Sequence, residues 1–329
     1  MNEKHAKWIV ALGLGACLMM TGVLVQGSYG AGKYPEKPIQ VVICYQPGAT
    51  DMAFRPFTEK LPEYLKQPVA FVFKPGAAGG AGASFVAKAK ADGYTLIGTS
   101  NSPVITAPLT KELDYTVYDF APICRLVSSP IVLAVKADSP WKTLKDIVEE
   151  AKKNPGRLNY STAGVWGTTH VPMELFVKAA GIHLTHVPCE GSTPGVTALL
   201  GGHVSMTSST MPTILPHFKS GALRPIAFFE KERLKDFPDV PTFSESGFSV
   251  VYFLWYGLMA PKGTSEEVVN TIYTACKKLI EEQKGSLENR LEKQSLRLIF
   301  LGPDEFGREA HAEFERMKII VKDLMKSAK

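Results

Sequence analysis

From Ile39 onward the chain alternates short apolar runs, rich in β-branched residues, with amphipathic stretches of helical period. That alternation limits the fold more than any other feature, because strands separated by helices build an α/β architecture with a mainly parallel sheet. The segments 39–44, 69–73, 95–98, 131–135, 157–161, 183–187 and 225–228 read as strands. The segment 141–153 reads as a helix, with Ser139 as cap, Pro140 in the first turn and Leu144, Ile147, Val148 and Ala151 on one face. Asn154-Pro155-Gly156 ends it. Thr264 and Glu267 have the spacing of a capping box for a later helix with Val268, Ile272, Cys276 and Leu279 inward, and 305–325 reads as a terminal helix.

Four strand ends run into loops of small and hydroxyl residues that then open a helix. They are Gln46-Pro47-Gly48-Ala49-Thr50-Asp51, Gly98-Thr99-Ser100-Asn101-Ser102, Ala163-Gly164-Val165-Trp166-Gly167-Thr168-Thr169-His170 and Glu190-Gly191-Ser192-Thr193-Pro194-Gly195. Ligands of open α/β sheets bind at the carboxyl ends of parallel strands. Free N–H groups at a helix start favour negative charge there without any cationic side chain. One such loop is usually only a cap and a turn; four of them together suggest an anion site.

Other chemistries lack their residues. No GxxxxGK[ST] or GxSxG occurs, and Gly76-Ala77-Ala78-Gly79-Gly80-Ala81-Gly82 lacks the fingerprint spacing and the lysine, so it reads as a turn before a helix. His183 and His186, three apart on an expected strand, would face opposite ways, and no acid or thiol joins them at ligand spacing. Neither a metal nor a cofactor is implied. A net charge of +5 without a basic block excludes a nucleic-acid partner. Cys44, Cys124, Cys189 and Cys276 show no CxxC spacing, which leaves small buried thiols or one disulfide that spacing does not assign.

The first thirty residues have the pattern of an export signal: Lys4, His5 and Lys7, an apolar run from Trp8 to Val25, then Ser28, Tyr29 and Gly30 at a cleavage position. The alternatives are a permanent anchor helix or a lipid anchor on Cys17, which follows Leu14-Gly15-Ala16. Either way the protein is expected outside the cytoplasm, in the periplasm or its equivalent. The remaining ~300 residues exceed one compact core, so two lobes are expected.

A longer set of motifs carries a family resemblance. Tyr34-Pro35-Glu36-Lys37-Pro38-Ile39, Pro47-Gly48-Ala49-Thr50-Asp51, Lys74-Pro75-Gly76-Ala77-Ala78-Gly79-Gly80, Ala91-Asp92-Gly93-Tyr94-Thr95-Leu96 and Asp119-Phe120-Ala121-Pro122 stand in this order. Pro155-Gly156-Arg157-Leu158-Asn159-Tyr160-Ser161, His186-Val187-Pro188, Leu199-Leu200-Gly201-Gly202-His203-Val204, Asp239-Val240-Pro241-Thr242 and Gly257-Leu258-Met259-Ala260-Pro261-Lys262-Gly263-Thr264 follow. Together they resemble the solute receptors of tripartite tricarboxylate transporters, the Bordetella uptake gene family, over nearly the whole mature chain.

The resemblance implies a type II-like, two-lobed periplasmic binding protein with its ligand cleft between lobes joined by two crossover strands, near 127–131 and 249–254. Lobe 1 would comprise 31–128 and 252–329, and lobe 2 129–251. It implies a monomer, not an enzyme, that binds a small di- or tricarboxylate or aromatic acid and delivers it to integral membrane permease subunits. A receptor feeding a sensor kinase and a secreted α/β enzyme acting on carboxylates are the alternatives. By matching positions, the ligand carboxylate falls to Thr50, Asp51, Ser100 and Asn101 in loops that include Thr99, with the Gly48 and Ala49 amides. The distal end falls to Gly164, Thr168, Thr169, His170, Gly191 and Ser192.

Departures from the family pattern bear on the ligand. Val165-Trp166-Gly167 replaces a common Asn-Gly-Ser, and Cys189-Glu190-Gly191-Ser192 replaces Tyr-Lys-Gly-Ser. Ser209 stands where an aspartate is frequent. Loss of that acid removes a partner for a ligand amine, so a plain carboxylate with an apolar body against Trp166 is expected rather than an amino acid.

Overall fold

The computed structural model describes residues 34–327; the export segment and Cys17 lie outside the described residues. Two sheets organise the chain. The first contains β1 (Ile39–Ile43), β2 (Val69–Phe73), β3 (Thr95–Ser100), β4 (Phe120–Ser129), β10 (Leu254–Pro261) and β11 (Arg297–Leu301), in the order β11-β4-β10-β3-β1-β2. The second contains β5 (Ile131–Lys136), β6 (Asn159–Thr162), β7 (Thr185–Pro188), β8 (Met206–Thr210) and β9 (Leu223–Phe228), in the order β7-β6-β8-β5-β9.

The expected mainly parallel sheet is corrected to two mixed sheets. β1 pairs parallel with β2 and β3, and β6 with β7 and β8, as helical crossovers require. β10 runs antiparallel between β3 and β4, and β5 antiparallel between β8 and β9. The reason lies in the connections: β4 leaves the first sheet and, after Pro130, becomes β5 of the second. The chain returns through 229–253, where the Tyr252 amide bonds the Phe229 carbonyl at 2.9 Å, and enters the first sheet as β10. A strand arriving from the other sheet has no crossover helix to turn it parallel.

Helices cover both sheets: α1 (Ala49–Thr58), α2 (Leu61–Leu65), α3 (Gly80–Ala87), α4 (Asn101–Val104), α5 (Ala107–Thr110), α6 (Leu144–Lys153), α7 (Val171–Ala180), α8 (Ser192–Leu200), α9 (Met211–Lys219), α10 (Glu266–Glu292) and α11 (Pro303–Ser327). Phe54, Phe57, Tyr256 and Phe306 anchor the first core, while Val132, Leu199, Met211, Ile214 and Phe228 anchor a second cluster under the middle sheet. Each such side chain contributes roughly 1.5–3 kcal/mol of burial. The expected turn at 76–82 holds a 3₁₀ turn, Ala77–Gly79, and the start of α3.

Two helix starts differ from expectation. α6 begins at Leu144, not at Trp141, because Thr143 and Asp146 close the capping box: Thr143 Oγ1 accepts from the Asp146 amide and Asp146 from the Thr143 amide. The Arg224 guanidinium donates to the carbonyls of Ala137, Ser139 and Trp141, which fixes that stretch as a turn. α10 is capped by Ser265, since Thr264 donates backward to the Pro261 carbonyl at 2.7 Å. The four cysteines of the described residues are free thiols, three of them buried.

Candidate functional site

The loops after β1, β3, β6 and β7 meet at one small cavity between the two sheets. α1 and α8 both begin there, one from each sheet, after Gly48 and Gly191. Helix starts leave amide donors without carbonyl partners in the helix and carry its positive dipole end. Around them stand the hydroxyl residues Thr50, Ser100, Thr168, Thr169, Ser192, Thr193 and Thr210, with Tyr45 and Tyr256. The cavity volume is about 40 Å³, room for about three water positions. Burial pushes the Tyr45 phenol up to about 12 and raises that of Tyr256 further, so both phenols are neutral donors at physiological pH. No lysine, arginine or histidine among the described residues enters the wall, and Glu190 is its one carboxylate.

Contacts across the cleft hold it nearly shut. Ser100 Oγ lies 3.4 Å from Thr168 Oγ1. Thr106 Oγ1 donates to the Trp166 carbonyl at 2.7 Å. A methyl group on Gly48 would meet Thr193 Oγ1 at 3.0 Å, and one on Gly164 would meet Ala78 Cβ at 3.3 Å.

Of the residues expected at the ligand, Gly48, Ala49, Thr50, Ser100, Thr168, Thr169, Gly191 and Ser192 line the cavity. Seven others do not. Asp51 turns back on its own helix start, accepting from the Gly48 amide at 2.5 Å and from Arg55 at 3.0 and 2.8 Å. Thr99 donates to the Ser100 carbonyl, and Ser209 to that of Thr210. Asn101 points to the second crossover and α11, donating to the Phe253 carbonyl at 3.0 Å and to Glu313 at 2.9 Å. Gly164 and Trp166 shape their loop through positive φ values of 127° and 59°.

His170 underlies that loop. Its Nδ1 accepts the Trp166 amide at 2.9 Å, so Nε2 carries the proton and faces Glu174 Oε1 at 3.2 Å. The ring stacks on His186 at 3.8 Å, and the Tyr160 phenol donates to Glu174 at 2.7 Å. Burial pushes the Glu174 carboxyl up, but the hydrogen bonds from His170 and Tyr160 outweigh it and hold it below its ordinary value. Burial, with a smaller electrostatic contribution from the neighbouring His170 ring, lowers His186 to about 3. The opposite-face argument for His183 and His186 does not apply, because β7 begins only at Thr185 and His183 packs at Gly156 instead. Among the described residues no group of three or more His, Cys, Asp or Glu side chains is placed to hold a metal.

Sequence reasoning missed Tyr45, Tyr256, Thr193 and Thr210 in the wall. Tyr256 and Thr210 belong to β10 and β8, strands whose patterns were not recognised. Thr193 belongs to the loop-to-helix segment 190–195, and only its position on the first turn of α8 singles it out.

Comparison with known proteins identifies the family. Residues 53–325 match the family model described as tripartite tricarboxylate transporter family receptor. BugT of Bordetella pertussis is 34% identical over 244 residues, 73% of this chain and 75% of its own. The structure of an R. palustris protein with adipate matches with a TM-score of 0.83 at 27% identity, covering 88% of this chain and 98% of that one. MatC from Rhodopseudomonas palustris with bound malate matches with a TM-score of 0.81 at 26% identity, covering 88% and 100%. The chain belongs to the tripartite tricarboxylate transporter receptor family, periplasmic solute-binding proteins of two-lobed α/β fold.

Proposed function

We propose that this receptor binds a small organic carboxylate between its lobes, outside the cytoplasm, and delivers it as a monomer to integral membrane permease subunits. The observation that carries the reading is the meeting of two helix starts from different sheets on one hydroxyl-lined cavity. Amide dipoles and neutral hydroxyls stabilise a carboxylate without a resident cation, so the empty site is not left with an unpaired buried charge. The relatives of the same fold with adipate and malate support a carboxylate as the ligand class.

In this reading one carboxylate is held by the Ala49 and Thr50 amides and the hydroxyls of Thr50, Ser100 and Thr168, and the distal end by Thr169, Gly191 and Ser192. The lobes divide at 128/129 and 251/252, where the two crossings act as hinges. Ligand binding then shifts an open-to-closed equilibrium. A thermal-shift panel of mono-, di- and tricarboxylates tests this. A ligand at one hundred times its dissociation constant raises stability by about 2.7 kcal/mol, and the compound is recovered unchanged. No shift with any carboxylate, or consumption of one, refutes the reading.

A further inference from the structure

The two helix starts that share the cavity differ in how their resident acids are balanced. At α1 the acid is Asp51, buried and neutralised by Arg55, whose guanidinium donates to Oδ2 at 3.0 and 2.8 Å. That pair leaves the dipole of α1 free to hold an anion. At α8 the acid is Glu190, directly before the cap residue Gly191. Glu190 is exposed, belongs to the cavity wall, and has no basic partner among the ion pairs of the described residues. Its charge sits at the positive end of α8 and offsets it, and Pro194 removes one amide from the first turn. One end of the cavity thus attracts a carboxylate, and the other carries an unneutralised negative charge.

We propose that Glu190 sets the ligand class, excluding a second carboxylate and selecting a short monocarboxylate whose far end is a hydrogen-bond donor, a hydroxyl or an ammonium. The inference rests on the carboxylate-receptor reading of the same site. It reverses the expectation of a plain carboxylate, which rested on Ser209; Ser209 is outside the cavity wall and Glu190 is in it. A second carboxylate brought beside Glu190 meets like charge, a repulsion reduced but not removed by the water that reaches the exposed side chain. An ammonium or hydroxyl there gains a charge-assisted hydrogen bond instead.

The test is calorimetric titration of the mature protein near neutral pH with four matched acids: succinate, 4-hydroxybutyrate, 4-aminobutyrate and butyrate. The wild type is expected to bind the hydroxy and amino acids roughly tenfold more tightly than succinate, with butyrate between. Glu190→Lys is expected to reverse the order and favour succinate. Glu190→Gln is expected to cost 4-aminobutyrate more than 4-hydroxybutyrate. Because Glu190 is exposed, both variants should fold with the wild-type melting temperature. Succinate binding the wild type as tightly as its neutral-ended analogues, with an unchanged ratio in Glu190→Lys, overturns the proposal and leaves the receptor reading standing. Failure of wild type and both variants to bind any of the four, together with an unresponsive thermal-shift panel, overturns the reading beneath it and the proposal with it.

Discussion

The backbone amide of Trp166 donates to Nδ1 of His170 at 2.9 Å, and the opposite nitrogen of that ring faces Glu174. The loop that supplies Ala163, Thr168 and Thr169 to the cavity is therefore held from beneath by the imidazole ring, whose Nδ1 is the acceptor. His170→Phe keeps a ring against His186 and removes the acceptor. It is expected to cost about 1 kcal/mol of stability and to speed hydrogen exchange at the Trp166 amide specifically. An unchanged exchange rate there would show that the loop is held by other contacts.

The stacked histidines also give a pH dependence. The folded-state value of His186 is about 3 against an ordinary 6.5, so between those values the unfolded chain takes up a proton that the folded chain does not. Stability contributed by His186 is full above about 6.5 and is lost as pH falls toward 3. Glu174, held below its ordinary value, adds the same sign of dependence only in the acid range. Denaturant unfolding across this range should show a shallower loss in His186→Phe than in wild type above the carboxylate range. Parallel curves would remove His186 as the cause.

Asn101 ties the loop after β3 to the returning segment 229–253 and to α11. It donates to Glu313 Oε1 while the Trp255 indole donates to Oε2 at 2.7 Å. Burial raises the Glu313 carboxyl, with these two hydrogen bonds opposing the rise. Asn101→Leu leaves one oxygen of that acid without a donor and should destabilise by about 1–3 kcal/mol. A raised folded value means that Glu313 disfavours the folded state increasingly as pH rises above the ordinary glutamate range. The deficit of Asn101→Leu should therefore be larger at neutral than at mildly acid pH, measured by denaturant unfolding. An equal deficit at both would place the loss in packing alone.

What was legible in the sequence follows from which forces are local. The strands β1 and β2 and the four loop-to-helix junctions carry their own patterns of β-branched residues and small turn residues, and all were readable. β4, β8 and β10 were not: β8 is Met-Thr-Ser-Ser-Thr and becomes a strand because β5 and β6 flank it, a non-local cause. The same holds at the site. Thr50, Ser100 and Ser192 reach the cavity wall because backbone position places them there. Asp51 and Asn101 share those loops, but their side chains are taken by Arg55 and Glu313, partners that no spacing rule predicts for Asn101 at 212 residues' separation.

Thr106 tests lobe closure. Its fully buried hydroxyl donates across the cleft to the Trp166 carbonyl. Thr106→Val removes the bond at nearly constant volume and should weaken the closed form by about 0.5–1.5 kcal/mol. Small-angle scattering of the unliganded variant should then give a larger radius of gyration than wild type. Identical scattering would mean that closure does not depend on this bond.

Gly48 and Thr193 provide the sharpest test of the cleft. Gly48 has φ 163°, an extended value open to any residue, so its side chain is not excluded by backbone strain. A Cβ would instead stand 3.0 Å from Thr193 Oγ1 on the facing helix. Gly48→Ala should leave unfolding little changed, yet weaken binding of the carboxylate with the largest thermal shift by roughly 1–3 kcal/mol, the usual range for overpacking. Thr193→Ala removes the opposing oxygen. Combined with Gly48→Ala it should recover most of the loss, a coupling that a double-mutant cycle reads directly. If the two effects simply add, the glycine acts through its own amide and not through the approach of the two helices.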